Sequence, residues 1–182
     1  MMQKKVQIIS DGSLDLSQEL TKEKDIEVVP FYVSFDSETY QKEMVEVGVR
    51  EFYQEMVDHP TVFPKTSMPS VHDYYEVFEK YAKEQLPVIC ICITRKFSGS
   101  LQSATTAKDM ILEEYPDAQI TVIDSTVNTV LQGLYVLEAC RLRDMGLEYQ
   151  QIVDALLPIR ETGRIFFTIG SIDYLKHGGR IG

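Results

Sequence analysis

Val88-Ile89-Cys90-Ile91-Cys92-Ile93 is the stretch that decides the fold. Pro87 precedes this continuous apolar run, and the polar segment Thr94 to Gly99 follows it. A strand without polar alternation needs cover on both faces, as in a parallel sheet between two layers of helices. On the C-terminal side, Ser100 to Tyr115 reads as a helix that Pro116 follows. Ile120 to Ile123 is a second apolar strand, and Asp124-Ser125 ends it. Val130 to Met145 reads as a helix with Gly146 as its terminator. Leu147 to Glu161 is a further helix.

On the N-terminal side, Ser70 caps a helix, with Asp73 at the capping-box position. Tyr74, Val77, Phe78 and Tyr81 follow the helical i, i+3, i+4, i+7 rule. His59 to Pro69 holds three prolines and reads as an extended loop. Val49 to Val57 has a helical pattern, and Ile26 to Phe35 reads as one strand. Val6 to Ile9 is the first strand, and Ser10 to Ser17 is a polar loop rich in cap formers. Near the end, Arg164 to Ile169 reads as a strand and Ile172 to Lys176 as a short helix. The alternation predicts the α/β class: a three-layer αβα arrangement with a mainly parallel sheet.

Composition narrows the function. The 182-residue chain is 44% hydrophobic and carries a net charge of -10, from 28 acidic against 18 basic residues. Such a surface repels phosphate backbones and anionic headgroups, so no nucleic-acid partner is expected. No apolar run reaches membrane-spanning length, and Val6 to Ile9 is too short for a signal-peptide core, so no membrane insertion is expected. The chain reads as cytoplasmic. Of the three cysteines, Cys90 and Cys92 are expected on opposite sides of their strand, unable to share a metal or disulfide easily. All three read as buried thiols of a reducing compartment. His59, His72 and His177 have no metal-ligand spacing, and the phosphate-loop and dinucleotide-binding glycine motifs are absent, so no cofactor or metal is expected.

In an open α/β sheet the ligand site lies beyond the carboxyl ends of the strands. The loops there share one chemistry. Ser10-Asp11-Gly12-Ser13, Lys65-Thr66-Ser67, Phe97-Ser98-Gly99-Ser100 and Asp124-Ser125-Thr126 are small and hydroxyl-bearing. Hydroxyls beside the unpaired N–H groups of a helix start make an anion site without formal positive charge. The competing reading of each serine is helix capping. A hydrolase or phosphotransferase would use Ser98 or the aspartates, but Phe-Ser-Gly-Ser is not the Gly-x-Ser-x-Gly elbow, and no histidine is placed as its base. Asp11, Asp15 and Asp124 are metal candidates in the same sense, with bonds to loop N–H groups as the commoner role. Lys176-His177-Gly178-Gly179-Arg180 is a basic stretch in an acidic chain, either a solvated turn or a docking contact.

Together these loops resemble the DegV family of fatty-acid-binding proteins. Asp11-Gly12-Ser13-Leu14-Asp15-Leu16 is similar to the family's first loop, with Gly12 in place of its serine. Thr66-Ser67-Met68-Pro69-Ser70, Phe97 to Ala104, Asp124-Ser125 with Gln132-Gly133-Leu134, and Tyr174 to Ile181 follow in the family's order. The resemblance implies a long-chain fatty acid in a tunnel, its carboxylate bonded by Thr66 and Ser98, with Ser67, Gly99, Ser100, Ser10 and Asp11 around it. It also implies a partner kinase subunit that phosphorylates the bound carboxylate, with Arg180 at the kinase contact and no catalysis by this chain. By the same resemblance, residues 1–162 are one domain and 163–182 the start of a truncated second, whose exposed face would favour self-association. An inactive truncated interaction domain is the alternative.

Overall fold

The computed structural model describes residues 6–166, 168 and 170–179. The chain divides into two compact units, one of residues 1–29 and 69–165, the other of 30–68 and 166–182.

The first unit is built on a four-stranded parallel sheet. Its strands are β1 (Gln7–Asp11), β2 (Ile26–Val29), β6 (Val88–Cys92) and β7 (Ile120–Asp124), in the order β2-β1-β6-β7. The helices are α1 (Gln18–Glu23), α3 (Val71–Lys83), α4 (Ser100–Glu114), α5 (Thr129–Asp144) and α6 (Tyr149–Ile159). Every residue of β1 and β6 is buried, as a sheet covered on both faces requires. Ile8, Ile89, Ile91 and Ile123 pack with Tyr135, Val136, Ile152 and Leu156 of α5 and α6. Ile9, Val88, Cys90 and Cys92 pack on the other face with Tyr74, Phe78, Ala104 and Ile111 of α3 and α4. The sheet therefore lies between two helical layers, as the alternation predicts.

That packing corrects the reading of the cysteines. Strand side chains repeat every two residues, so Cys90 and Cys92 share one face. Their Sγ atoms lie 3.8 Å apart, and both are buried free thiols, as is Cys140.

Local signals explain the helix ends. The Ser70 hydroxyl accepts the Asp73 N–H at 3.1 Å, and the Asp73 carboxylate accepts the Ser70 N–H at 2.8 Å, closing the expected capping box. Gly146 ends α5 with φ of +87°, a conformation that glycine adopts without strain. Gly133 has a packing role. A Cβ there would stand 2.4 Å from the Leu14 carbonyl oxygen, so only glycine lets α5 seat against the 3-10 turn Gly12–Leu14.

The second unit carries a small antiparallel sheet. Its strands are β3 (Tyr32–Ser34), β4 (Gln41–Lys42) and β5 (Lys65–Ser67), in the order β4-β3-β5. It also holds α2 (Val49–Asp58) and α7 (Asp173–His177). The single strand expected over 26–35 is thus two strands in different sheets. Pro30 separates them, having no N–H to give a ladder. Part of the expected proline-rich loop is strand β5, with Thr66 paired to Val33. The strand expected over 164–169 is not formed over residues 164–166, while Phe167 and Ile169 lie outside the described residues. The chain crosses between the units at 29/30, 68/69 and 165/166. Among the described residues, no helix is long and apolar enough to cross a membrane.

Candidate functional site

Parallel pairing aligns the carboxyl ends of β1, β6 and β7. Ser10 stands beside Ile91, and Cys92 beside Asp124. The loops that leave these strands are therefore neighbours, which is how Asp11 meets residues far away in sequence.

Asp11 is fully buried, and both of its oxygens are occupied. Oδ2 accepts the Ile93 N–H at 2.9 Å and the Ser100 hydroxyl at 2.6 Å. Oδ1 accepts the Gln132 side-chain amide at 2.9 Å and lies 2.7 Å from the Ser13 hydroxyl. That hydroxyl is also 2.6 Å from Gln132 Oε1, so one proton serves two acceptors. Buried carboxyl groups of this kind persist where neutral donors replace the lost hydration. The Ser10 hydroxyl donates to the Ile91 carbonyl at 2.8 Å and accepts from Gln132 Nε2 at 3.0 Å.

Tyr74 supports the cluster from α3. Its hydroxyl is 2.6 Å from Ser100 Oγ. Because Ser100 gives its own proton to Asp11, Tyr74 is the donor in that pair. Burial pushes the Tyr74 phenol well above its ordinary pKa, and nearby Cys92 and Asp11 add to the effect, so it keeps that proton.

Of the expected ligand residues, Ser10, Asp11 and Ser100 are thus buried, Ser100 bonded to Asp11 and Ser10 joined to it through Gln132, and their direct work is to hold loops. Ser98 and Gly99 differ. Ser98 is half-buried and Gly99 exposed, at the start of α4. Ser98 Oγ accepts the Ser100 N–H at 3.2 Å. Among the described residues no acceptor takes the Ser98 hydroxyl proton. Thr66 and Ser67 are exposed on β5, in the second unit. Arg180 lies outside the described residues. Gln132 and Tyr74 carry the network and were not among the expected site residues. The signal for Gln132 was a polar residue at the head of the stripe Gln132, Val136, Ala139 on the buried side of α5.

The β7–α5 loop is tightly made. Thr126 and Thr129 take positive φ, 61° and 52°, which a β-branched residue adopts only under strain. The buried Ser125 hydroxyl donates to the Val127 carbonyl at 2.9 Å, and the Thr126 hydroxyl donates to the Arg160 carbonyl at 2.7 Å. Arg95 reaches Asp124 at 3.8 Å. Among the described residues no group of three or more metal-ligating side chains is assembled. The histidines are engaged elsewhere: His59 with Glu55, His72 with Glu76, and His177 with Phe63.

The fold is that of a three-layer α/β protein with a hydroxyl-bearing edge at its strand ends. The chain belongs to the DegV family: the family described as "Uncharacterised protein, DegV family" matches residues 5–182. A DegV domain-containing protein of Clostridium perfringens is 31% identical over 97% of this chain and 62% of its own length. Among solved structures, a stearic-acid-binding protein from Eubacterium ventriosum is 48% identical, with a TM-score of 0.92, over 97% of this chain and 60% of that one. A DegV family protein from Thermus thermophilus, described by its fatty-acid binding, is 30% identical with a TM-score of 0.81, over 98% of this chain and 61% of that one. The chain therefore spans about three fifths of the length of the relatives it matches.

Proposed function

We propose that this chain binds a long-chain fatty acid, with the carboxylate bonded by the Ser98 hydroxyl and framed by Gly99. The observation that carries the reading is Ser98. Its oxygen is held by the Ser100 N–H, and its proton is left to donate. The 48% identity to a stearic-acid-binding protein supports the ligand class. The energetics agree. Burying an acyl chain contributes about 0.8 kcal/mol per CH₂, so the tail supplies most of the affinity and the hydroxyl orients the head.

In this reading the chain is a cytoplasmic carrier, not a catalyst. It presents the carboxylate to a partner kinase that makes an acyl phosphate, with Arg180 at that contact. Uncharged donors suit this task, because a buried Arg or Lys partner would hold the carboxylate more tightly and lower its nucleophilicity. Residues 163–182 begin a second domain in the same proposal.

Native mass spectrometry of the purified protein, with lipid extraction, tests the reading. The expected result is a co-purified acyl chain, or uptake of added stearate at one per chain. Lipid-free protein that takes up no stearate overturns it.

A further inference from the structure

The loop of residues 94–99 carries Ser98 and Gly99, and a single atom holds both of its ends. Asp11 Oδ2 accepts the Ile93 N–H where the chain enters the loop and the Ser100 hydroxyl where it leaves. We infer that Asp11 is the positioning residue of the head-group site: it staples the β6–α4 loop shut and so fixes where the Ser98 hydroxyl donates. The inference rests on the fatty-acid reading, and it gives that site a buried determinant that touches no ligand.

Three features make the staple rigid. Asp11 is fully buried, and its second oxygen is held by Gln132 at 2.9 Å, so the carboxyl group cannot turn away from the loop. Gln132 is fixed in turn, because neighbouring Gly133 lets α5 press against the Leu14 carbonyl. On the loop side, Tyr74 holds Ser100 at 2.6 Å, and the Ser100 N–H holds Ser98 Oγ at 3.2 Å. Asp11 therefore reaches Ser98 through Ser100, by one side-chain bond and one backbone bond. A hydroxyl displaced by about 1 Å loses most of a charge-assisted hydrogen bond, whereas contacts along an acyl tail do not register the shift.

The test compares Asp11→Ala, Asp11→Asn and the wild-type chain, each titrated with stearate and with methyl stearate. Amide hydrogen exchange over residues 94–99 is measured without ligand. Asp11→Ala is expected to weaken stearate binding at least about tenfold, with methyl stearate changed less than about threefold, and to speed exchange in the loop. Asp11→Asn keeps an oxygen for Ile93 and Ser100 but sets its NH₂ against the Gln132 amide donor, so it recovers only part of both losses. Unchanged stearate affinity in Asp11→Ala overturns the inference. So does an equal loss for acid and ester with loop exchange unaltered. Should Asp11→Ala fail to fold, Ser100→Ala cuts one arm of the staple, and the same acid-to-ester split and loop exchange decide. A wild-type chain that binds neither probe defeats the fatty-acid reading, and loop exchange alone then decides whether Asp11 holds the loop.

Discussion

The imidazole of His177 stacks on the Phe63 ring, with centroids 3.8 Å apart and planes within 5° of parallel. Tyr174 meets the same ring edge-on at 5.0 Å. Helix α7 has only five residues and no buried side chain, far too short to persist alone. These ring contacts are what anchor it. Phe63→Ala is expected to cost about 1 kcal/mol and to raise amide exchange over residues 173–178, with exchange in β1 and β6 unchanged. Equal protection of α7 in the variant would show that it is held by something else.

Ser98→Ala removes the proposed donor and, with it, one partly buried bond to the Ser100 N–H. Stearate affinity is expected to fall by roughly tenfold to a hundredfold, at about 1.5–3 kcal/mol for a hydrogen bond to a charged group. The melting temperature should stay within about 2 °C of wild type. Wild-type affinity in Ser98→Ala would remove Ser98 from the site.

Gly133→Ala drives a methyl group into the Leu14 carbonyl. Since α5 cannot keep its place, overpacking of about 1–3 kcal/mol is expected. For a chain of this size that lowers the melting temperature by roughly 2–10 °C. A thermal melt indistinguishable from wild type would mean that α5 shifts freely, in conflict with its buried face.

The thiols give a pH prediction. Burial pushes Cys140 up to about 11 from an ordinary value of 9, and burial likewise raises Cys90 well above its ordinary range. The folded chain thus holds these protons more tightly than the unfolded one. The resulting stability is complete below pH 9 and is lost as pH rises toward 11. For Cys140 the loss is on the order of 2–3 kcal/mol, and Cys140→Ala should flatten that part of the profile. Urea titrations at pH 8, 9.5 and 11 measure it. At pH 8 a thiol reagent should find the native cysteines closed and the unfolded ones open. Fast labelling of the native chain would contradict their burial.

The parallel sheet was legible because β1, β6 and β7 announce themselves as apolar runs between polar loops. The small sheet was not. Lys65-Thr66-Ser67 and Gln41-Lys42 are short and polar, with no period to read, and Pro30 hides its break inside a run that looks continuous. Site chemistry was legible as a type and not as an arrangement. Ser10, Ser98 and Ser100 look alike in sequence, and only the β1–β6 pairing puts Ser100 on Asp11 and leaves Ser98 unspent. The cysteines show a simpler slip, since a repeat of two residues places Cys90 and Cys92 on the same side.

The strand pair at the centre of the sheet, β1 with β6, joins residues about eighty positions apart, with Ser10 beside Ile91. During synthesis β1 can pair with β2 early, but the central pairing with β6 must wait for about eighty further residues. The delay has a useful counterpart. Each doubling of the intervening segment adds only about 0.6 kcal/mol of closure entropy, so the length of residues 30–68 weighs little on the register of β1 with β6.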